Sequence, residues 1–273
     1  MNRSFARCAS LLFVALLLAV SVVQGQTAGA PAWDDFLAWY KAAAIADPGK
    51  VFAAYAEKLK HDGLGEAAVG ERIALLRETA RTRSRDLTGI HFDKIYASPM
   101  VPFRTEPSAY LVRTVEGRTP GTALDVAMGQ GRNAIYLASK GWTVTGYDLS
   151  GGGLASARAQ AARQGVALNA VLAGHDDFDF GTARWDLIVM AYAAAPMDDP
   201  AFLRRVRESL KPGGIVVVEQ FNAAPDKASN NGPANALLKS FEGLRVIHYE
   251  DVVDRSEWGG MLCRIGRVTA EKE

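Results

Sequence analysis

Cysteine is nearly absent from this 273-residue chain, with only Cys8 and Cys263 present. So few thiols exclude a disulfide scaffold, and a cysteine-rich zinc site needs about four ligands at close spacing. An excess of one charge is also lacking. Thirty-one Lys and Arg balance 30 Asp and Glu, for a formal net charge of +1. No strong field therefore points to nucleic acid or to anionic lipid. The 49% of hydrophobic and 22% of charged residues argue against long disorder and against a multi-span membrane protein. The length suits one large domain, or one domain with an extension.

An apolar run long enough for a bilayer is missing too. Leu11–Val23 would rise only about 20 Å as a helix, short of a hydrocarbon core of roughly 30 Å. With Arg3 and Arg7 ahead of it, and Val23 and Gly25 offering small residues before Gln26, residues 1–25 read as a signal peptide. Export to the periplasm or beyond is the expectation, without stable membrane insertion after cleavage. A membrane tether or a cytoplasmic protein with a later start is the alternative.

Residues 26–110 are expected to form a helical extension and lid. Pro31 suits a first turn, and Phe36, Leu37 and Tyr40 recur at helical spacing. Asp47-Pro48 caps and restarts the pattern, which continues in Val51, Tyr55, Leu59 and, after Gly63 and Gly65, in Val69, Ile73, Leu76 and Ala80. The arginines at 72, 77, 81, 83 and 85 alternate with Glu71, Glu78 and Asp86, as on a solvated helix face.

From Ala123 onward the pattern changes. Apolar runs at 123–127, 143–147, 168–172, 186–191 and 214–219 alternate with helical stretches near 132–140, 151–164 and 200–210. The tail, Leu244–Tyr249 and Met261–Val268, suits a hairpin-like pair. Residues 111–273 are therefore expected to form an α/β domain, a doubly wound, mostly parallel, seven-stranded sheet.

The most informative stretch is Ala123-Leu-Asp-Val-Ala-Met-Gly-Gln-Gly-Arg-Asn-Ala134. A strand ends, Gly129 and Gly131 turn the chain, and a helix begins near Arg132. Such a loop lets ligand atoms approach the backbone at a helix N-terminus. Asp148 ends the next strand, where a carboxylate suits two adjacent ribose hydroxyls. The loop spacing also satisfies a dinucleotide fingerprint. Asp125, however, stands inside the first strand's end, where it would repel a pyrophosphate and attract a cation.

Together with Trp185-Asp-Leu-Ile188 and Leu210-Lys-Pro-Gly-Gly214, these motifs resemble those of class I S-adenosyl-L-methionine (SAM)-dependent methyltransferases, in order and in spacing. Gly-Gln-Gly-Arg-Asn-Ala followed by Tyr136-Leu-Ala is most similar to the small-molecule and tellurite-resistance-type branch. The resemblance implies SAM as cofactor, with Gly129 and Gly131 along its methionine and ribose and Asp125 toward its amino group. Asp148 would take the ribose hydroxyls and Leu149 the adenine. Arg132 and Asn133 would position the methionine carboxylate or the lid. Asp176 is the choice for the adenine amino group, with Asp177 as its neighbour, and Tyr192 faces the acceptor. A small-molecule methyl acceptor is expected, with no nucleic acid and no metal; no residue is assigned as catalytic base. A catalytically silent SAM- or nucleoside-binding protein and a nicotinamide-dependent oxidoreductase are the alternatives.

Each residue also has a plainer role open to it. Asp125 would serve its own loop, and Asp148 would cap the following helix in competition with Ser150. Trp185 and Asp186 are expected to be structural, His175 to sit in a surface turn, and Glu106–Tyr110 to be a lid or a connecting turn.

Overall fold

The computed structural model describes residues 31–45, 47–98, 103–222 and 235–273. The signal-like segment lies outside these residues, as does most of the loop between Asn222 and Ala236. The chain divides into two compact units between His91 and Phe92.

The first unit is helical: α1 (residues 31–42), a 3-10 turn (Pro48–Lys50), α2 (Val51–His61), α3 (Glu66–Thr82) and the start of α4 (Ser84–Ala97). Asp47 caps the turn by accepting the Gly49 N–H at 2.9 Å, with Pro48 at the first position. The apolar stripe meets in a core of Trp33, Phe36, Tyr40, Tyr55, Leu59 and Leu76. The arginine run is a surface: Arg81 pairs with Glu78, Arg83 with Asp86, and Arg77 lies over the Phe52 ring.

The second unit holds α5 (Ala109–Val115), β1 (Thr122–Val126), α6 (Arg132–Ser139), β2 (Thr143–Asp148), α7 (Gly151–Arg163), β3 (Asn169–Leu172), β4 (Trp185–Ala191), α8 (Pro200–Ser209), β5 (Leu210–Phe221), α9 (Ala236–Ser240), β6 (Arg245–Arg255) and β7 (Leu262–Glu271). The seven strands lie in the order β3-β2-β1-β4-β5-β7-β6. β1 to β5 pair in parallel, and β7 enters antiparallel between β5 and β6. The doubly wound, seven-stranded sheet expected from the runs is present.

Strand periodicity splits the core between two faces. Leu124, Ile188, Val216 and Val218 face one layer with Phe202 and Val206 of α8. Ala123, Leu187, Val189 and Val217 face the other, with Leu137 of α6 and Leu154 of α7. Asp125 follows the parity of Ala123, which aims its carboxylate toward the α6 side of the sheet.

Two expectations need adjustment. The fifth strand starts before its apolar run at 214–219: α8 ends at Ser209 and β5 begins at Leu210, so Lys-Pro-Gly-Gly lies inside the strand, with a register shift between Trp185 and Leu187. Gly213 adopts φ +76°, and a Cβ on Gly214 would stand 2.8 Å from the Trp185 carbonyl, so glycines carry the irregularity inside the strand. The closing strands are also longer than their apolar runs, because β7 is covered on both sides by β5 and β6 and extends to Glu271. Trp185 and Asp186 are structural: Trp185 Nε1 donates to the Phe180 carbonyl, and Asp186 accepts from Thr122 and Lys211 at the amino edge of the sheet. Among the described residues, no helix is long and apolar enough to cross a membrane.

Candidate functional site

The site is built at the carboxyl edge of β1 and β2. β1 ends in Asp125-Val126, and the chain leaves it through Ala127, whose φ of +50° is a left-handed conformation unusual for a residue with a Cβ. Gly129 (φ +54°) and Gly131 (φ +77°) complete the turn, and Gly131 is the N-cap of α6. Having no side chain, Gly131 cannot satisfy the helix's free amides. Asp125 does so from the strand: its Oδ2 accepts the Ala134 N–H at 3.0 Å. The carboxyl is fully enclosed, and burial pushes its pKa up to about 7 against the opposing pull of Arg132.

Asp148 comes to the same loop from β2. Its Oδ2 accepts the Gly129 N–H at 2.8 Å and its Oδ1 the Ser150 N–H at 2.7 Å. Burial raises its pKa while these amides lower it. The capping of α7 falls to Ser150, which accepts from the Gly153 N–H at 2.9 Å. Leu149 lies beyond Asp148: a Cβ on Gly174 would stand 3.3 Å from Leu149 Cδ2 and 3.4 Å from Asp177 Oδ2. Asp176, the acid chosen from the sequence, is exposed beside Arg205 at 3.8 Å. Asp177, the other acid of this turn, is exposed as well. The two acids follow Gly174 and His175 in one tight turn.

Arg132 and Asn133 serve the neighbouring segment. Arg132 binds Glu257 at 2.7 Å and the Glu106 carbonyl at 3.0 Å, and Asn133 Oδ1 accepts the Ser108 N–H at 2.8 Å. The Ser108 hydroxyl caps α5 through the Leu111 N–H and donates to Glu219 at 2.7 Å. Glu257 also accepts the Ala109 N–H. Arg267 reaches Glu219 at 2.8 Å, and Glu250 and Asp254 both at 2.9 Å. Glu106–Tyr110 is thus pinned as a connection, and of the two roles open to Arg132 and Asn133 their contacts serve the segment rather than leave them free for a carboxylate.

Tyr192 follows β4 in a left-handed conformation (φ +54°), its N–H bonded to the Glu219 carbonyl at 2.7 Å. Burial, then the nearby Glu219, raise the pKa of its phenol. Its ring meets Phe221 at 5.0 Å, and half-buried rings continue from Phe221 to Trp258, Phe103 and Tyr96. His175 does not lie free in a surface turn: its Nδ1 is 2.9 Å from the Tyr147 hydroxyl, and burial lowers its pKa. Among the described residues, no group of three or more His, Cys, Asp and Glu could hold a metal.

Two residues at the groove carry no motif. Asp93 Oδ1 accepts from the Ser150 hydroxyl at 2.6 Å and the Gly152 N–H at 2.8 Å. Tyr96 packs its phenol against Gly129 and Gly153, where a Cβ on either glycine would collide with it. The i, i+3 spacing of Asp93 and Tyr96, which puts both on one helix face, is their sole sequence signal.

Residues 123–214 match the family model described as a methyltransferase domain. Among curated proteins, the chain is 30% identical over 127 residues to a ribosomal RNA small subunit methyltransferase C of Alcanivorax borkumensis, covering 41% of this chain and 36% of that protein. The chain thus spans about a third of the length of that relative. Among solved structures it is similar to TehB from Haemophilus influenzae, with 17% identity, a TM-score of 0.51, and 68% and 67% of the two chains covered. It is also similar to the 1,6-didemethyltoxoflavin-N1-methyltransferase of Burkholderia thailandensis, solved with bound 1,6-didemethyltoxoflavin and S-adenosylhomocysteine. There the identity is 20%, the TM-score 0.51, and the coverage 72% and 89%. Residues 123–214 thus match a methyltransferase domain, the sheet has the class I fold of these solved structures, and SAM is the cofactor of that class.

Proposed function

We propose that the protein transfers a methyl group from SAM to a small molecule, with the cofactor at the carboxyl edge of β1 and β2. One observation carries this reading: two buried carboxylates of adjacent strands, Asp125 and Asp148, converge on a single glycine loop. The donor set fits the cofactor. Each Asp148 oxygen accepts one amide and keeps a lone pair for a ribose hydroxyl. Asp125 offers a carboxylate to an ammonium group, an arrangement that would repel a pyrophosphate. Gly129 and Gly131 give close backbone approach, with Leu149 and the Asp176-Asp177 turn at the adenine end and Tyr192 toward the acceptor.

When bound, SAM supplies a methyl group already activated by its sulfonium. The chain's own residues then have to align the two reactants and exclude water. No side chain is assigned as a general base. The half-buried rings of Tyr192, Phe221 and Trp258 favour an apolar or planar acceptor. The near-zero net charge counts against RNA, whose phosphates call for a basic surface.

Calorimetry with SAM, S-adenosylhomocysteine and NAD tests the cofactor. Binding of the first two without NAD is expected, and NAD binding without SAM would sink the reading. Label from methyl-labelled SAM is expected in a low-mass product rather than in RNA. The seating of Tyr96 in the groove favours one second reading, a SAM-binding protein without transfer, whose signature is S-adenosylhomocysteine binding with no labelled product. Export by residues 1–25 belongs to the same proposal, and a mature N-terminus at Gln26 is the result expected from N-terminal sequencing.

A further inference from the structure

The face of α4 beyond Phe92 brings an acid and a phenol to the cofactor groove, and neither belongs to a methyltransferase motif. Gly153, in the first turn of α7, lies close to the glycine loop: a Cβ there would stand 3.3 Å from the Gly129 carbonyl carbon. Tyr96 fills this narrow space. Its hydroxyl abuts Gly129, and its ring edge lies 2.9–3.0 Å from where a Gly153 Cβ would stand. Both glycines are thus needed for a side chain of the same protein to fit.

Asp93, one helical turn earlier, fixes that side chain in place. Its Oδ1 accepts from the Ser150 hydroxyl and the Gly152 N–H, two groups at the α7 N-terminus. With the Gly153 N–H taken by Ser150 and the Ser150 N–H by Asp148, the amides of Ser150, Gly152 and Gly153 have partners within the protein. Phe92 and Phe103 brace the ring at centroid distances of 6.2 and 5.4 Å. The space beside the Gly129 backbone is also where the glycine loop would receive the ribose and methionine of SAM.

We propose that Tyr96 is a built-in competitor for the cofactor: its phenol occupies the groove between the glycine loop and α7, and cofactor binding displaces it. The inference rests on the cofactor reading above. Two consequences follow from competition for one volume. Cofactor affinity is reduced by the fraction of molecules in which Tyr96 is seated, and removing the phenol restores it. Binding also releases Asp93 and Tyr96 while it orders the glycine loop.

The test compares wild type, Tyr96→Ala and Tyr96→Phe in the full chain, with S-adenosylhomocysteine as probe. Calorimetry should show Tyr96→Ala binding about tenfold more tightly than wild type, with Tyr96→Phe between them. Hydrogen exchange in wild type supplies a second readout: on adding the probe, residues 93–97 should exchange faster and residues 127–131 more slowly. If Tyr96 is instead a wall that the cofactor rests on, Tyr96→Ala binds more weakly and both segments slow together. That result, or unchanged affinity, overturns the competitor and leaves the cofactor reading standing. If neither wild type nor Tyr96→Ala binds the probe while both melt cooperatively, the cofactor reading falls and the competitor with it. Should Tyr96→Ala fail to fold, Tyr96→Phe and the exchange pattern of wild type decide.

Discussion

Asp125 is a carboxyl enclosed by protein with a single backbone donor, and its chemistry follows from that. In the folded chain it keeps its proton up to about pH 7, whereas in the unfolded chain it loses it near pH 4. Over that interval the native state holds the additional proton, so its contribution to stability falls as pH rises and levels off above about 7. Asp125→Asn removes the titration. Its melting temperature should lose this downward slope between pH 4.5 and 7, and melting curves of both proteins across that range check it. A cationic ligand group favours the ionised carboxylate, so SAM affinity in wild type should increase as pH rises through about 7. At Asp148 the expected effect is on affinity. Asp148→Ala should weaken S-adenosylhomocysteine binding by about 1–3 kcal/mol through two lost charge-assisted hydrogen bonds. Calorimetry on the folded variant measures this, and unchanged affinity removes Asp148 from the site.

At the scale of elements, the carboxyl edge is held by a chain of polar contacts rather than by apolar packing. α5 begins where Asn133, Glu257 and Ser108 take up its first amides, and Ser108 passes the connection to Glu219 on β5. Arg267 on β7 then joins β5 to β6 by holding Glu219, Glu250 and Asp254 together. Glu219 is only 2% exposed, so losing its cation leaves a buried charge without compensation. Arg267→Ala should therefore destabilise by about 3–5 kcal/mol, whereas Ser108→Ala, which removes a cap and one donor, should cost about 1–2 kcal/mol. Urea unfolding of the two variants checks the order, and equal losses would count against a buried charge as the cause.

Across the whole sheet, stability should fall from the centre outward. β1, β4 and β5 are paired on both sides and covered by side chains on both faces, while β3 and β6 are the edges. Leu172 on β3 and Val253 on β6 remain 65% and 62% exposed. Native-state hydrogen exchange should accordingly find the slowest amides in β1, β4 and β5 and the fastest strand amides in β3 and β6. The glycine loop links two of the inner strands, β1 and β2. A site anchored there has a rigid floor, and any adjustment to a ligand falls to the elements laid over it, α4 and α5.

The order of strands and helices was legible in the chain because it is written in local periodicity: apolar runs of strand length, helical stripes and glycine punctuation. Asp125 and Asp148 were legible for a related reason, since each sits at the end of its own strand and parallel pairing of β1 with β2 brings those ends together. The partners of Arg132 and Asn133 and the presence of Asp93 and Tyr96 at the groove were decided only by tertiary structure. Each depends on which distant segment comes to lie against the loop, and no local pattern encodes that. Glu219 shows the same limit: within an apolar strand it reads as an interruption, and it becomes intelligible only once Arg267, 48 residues further on, is placed beside it.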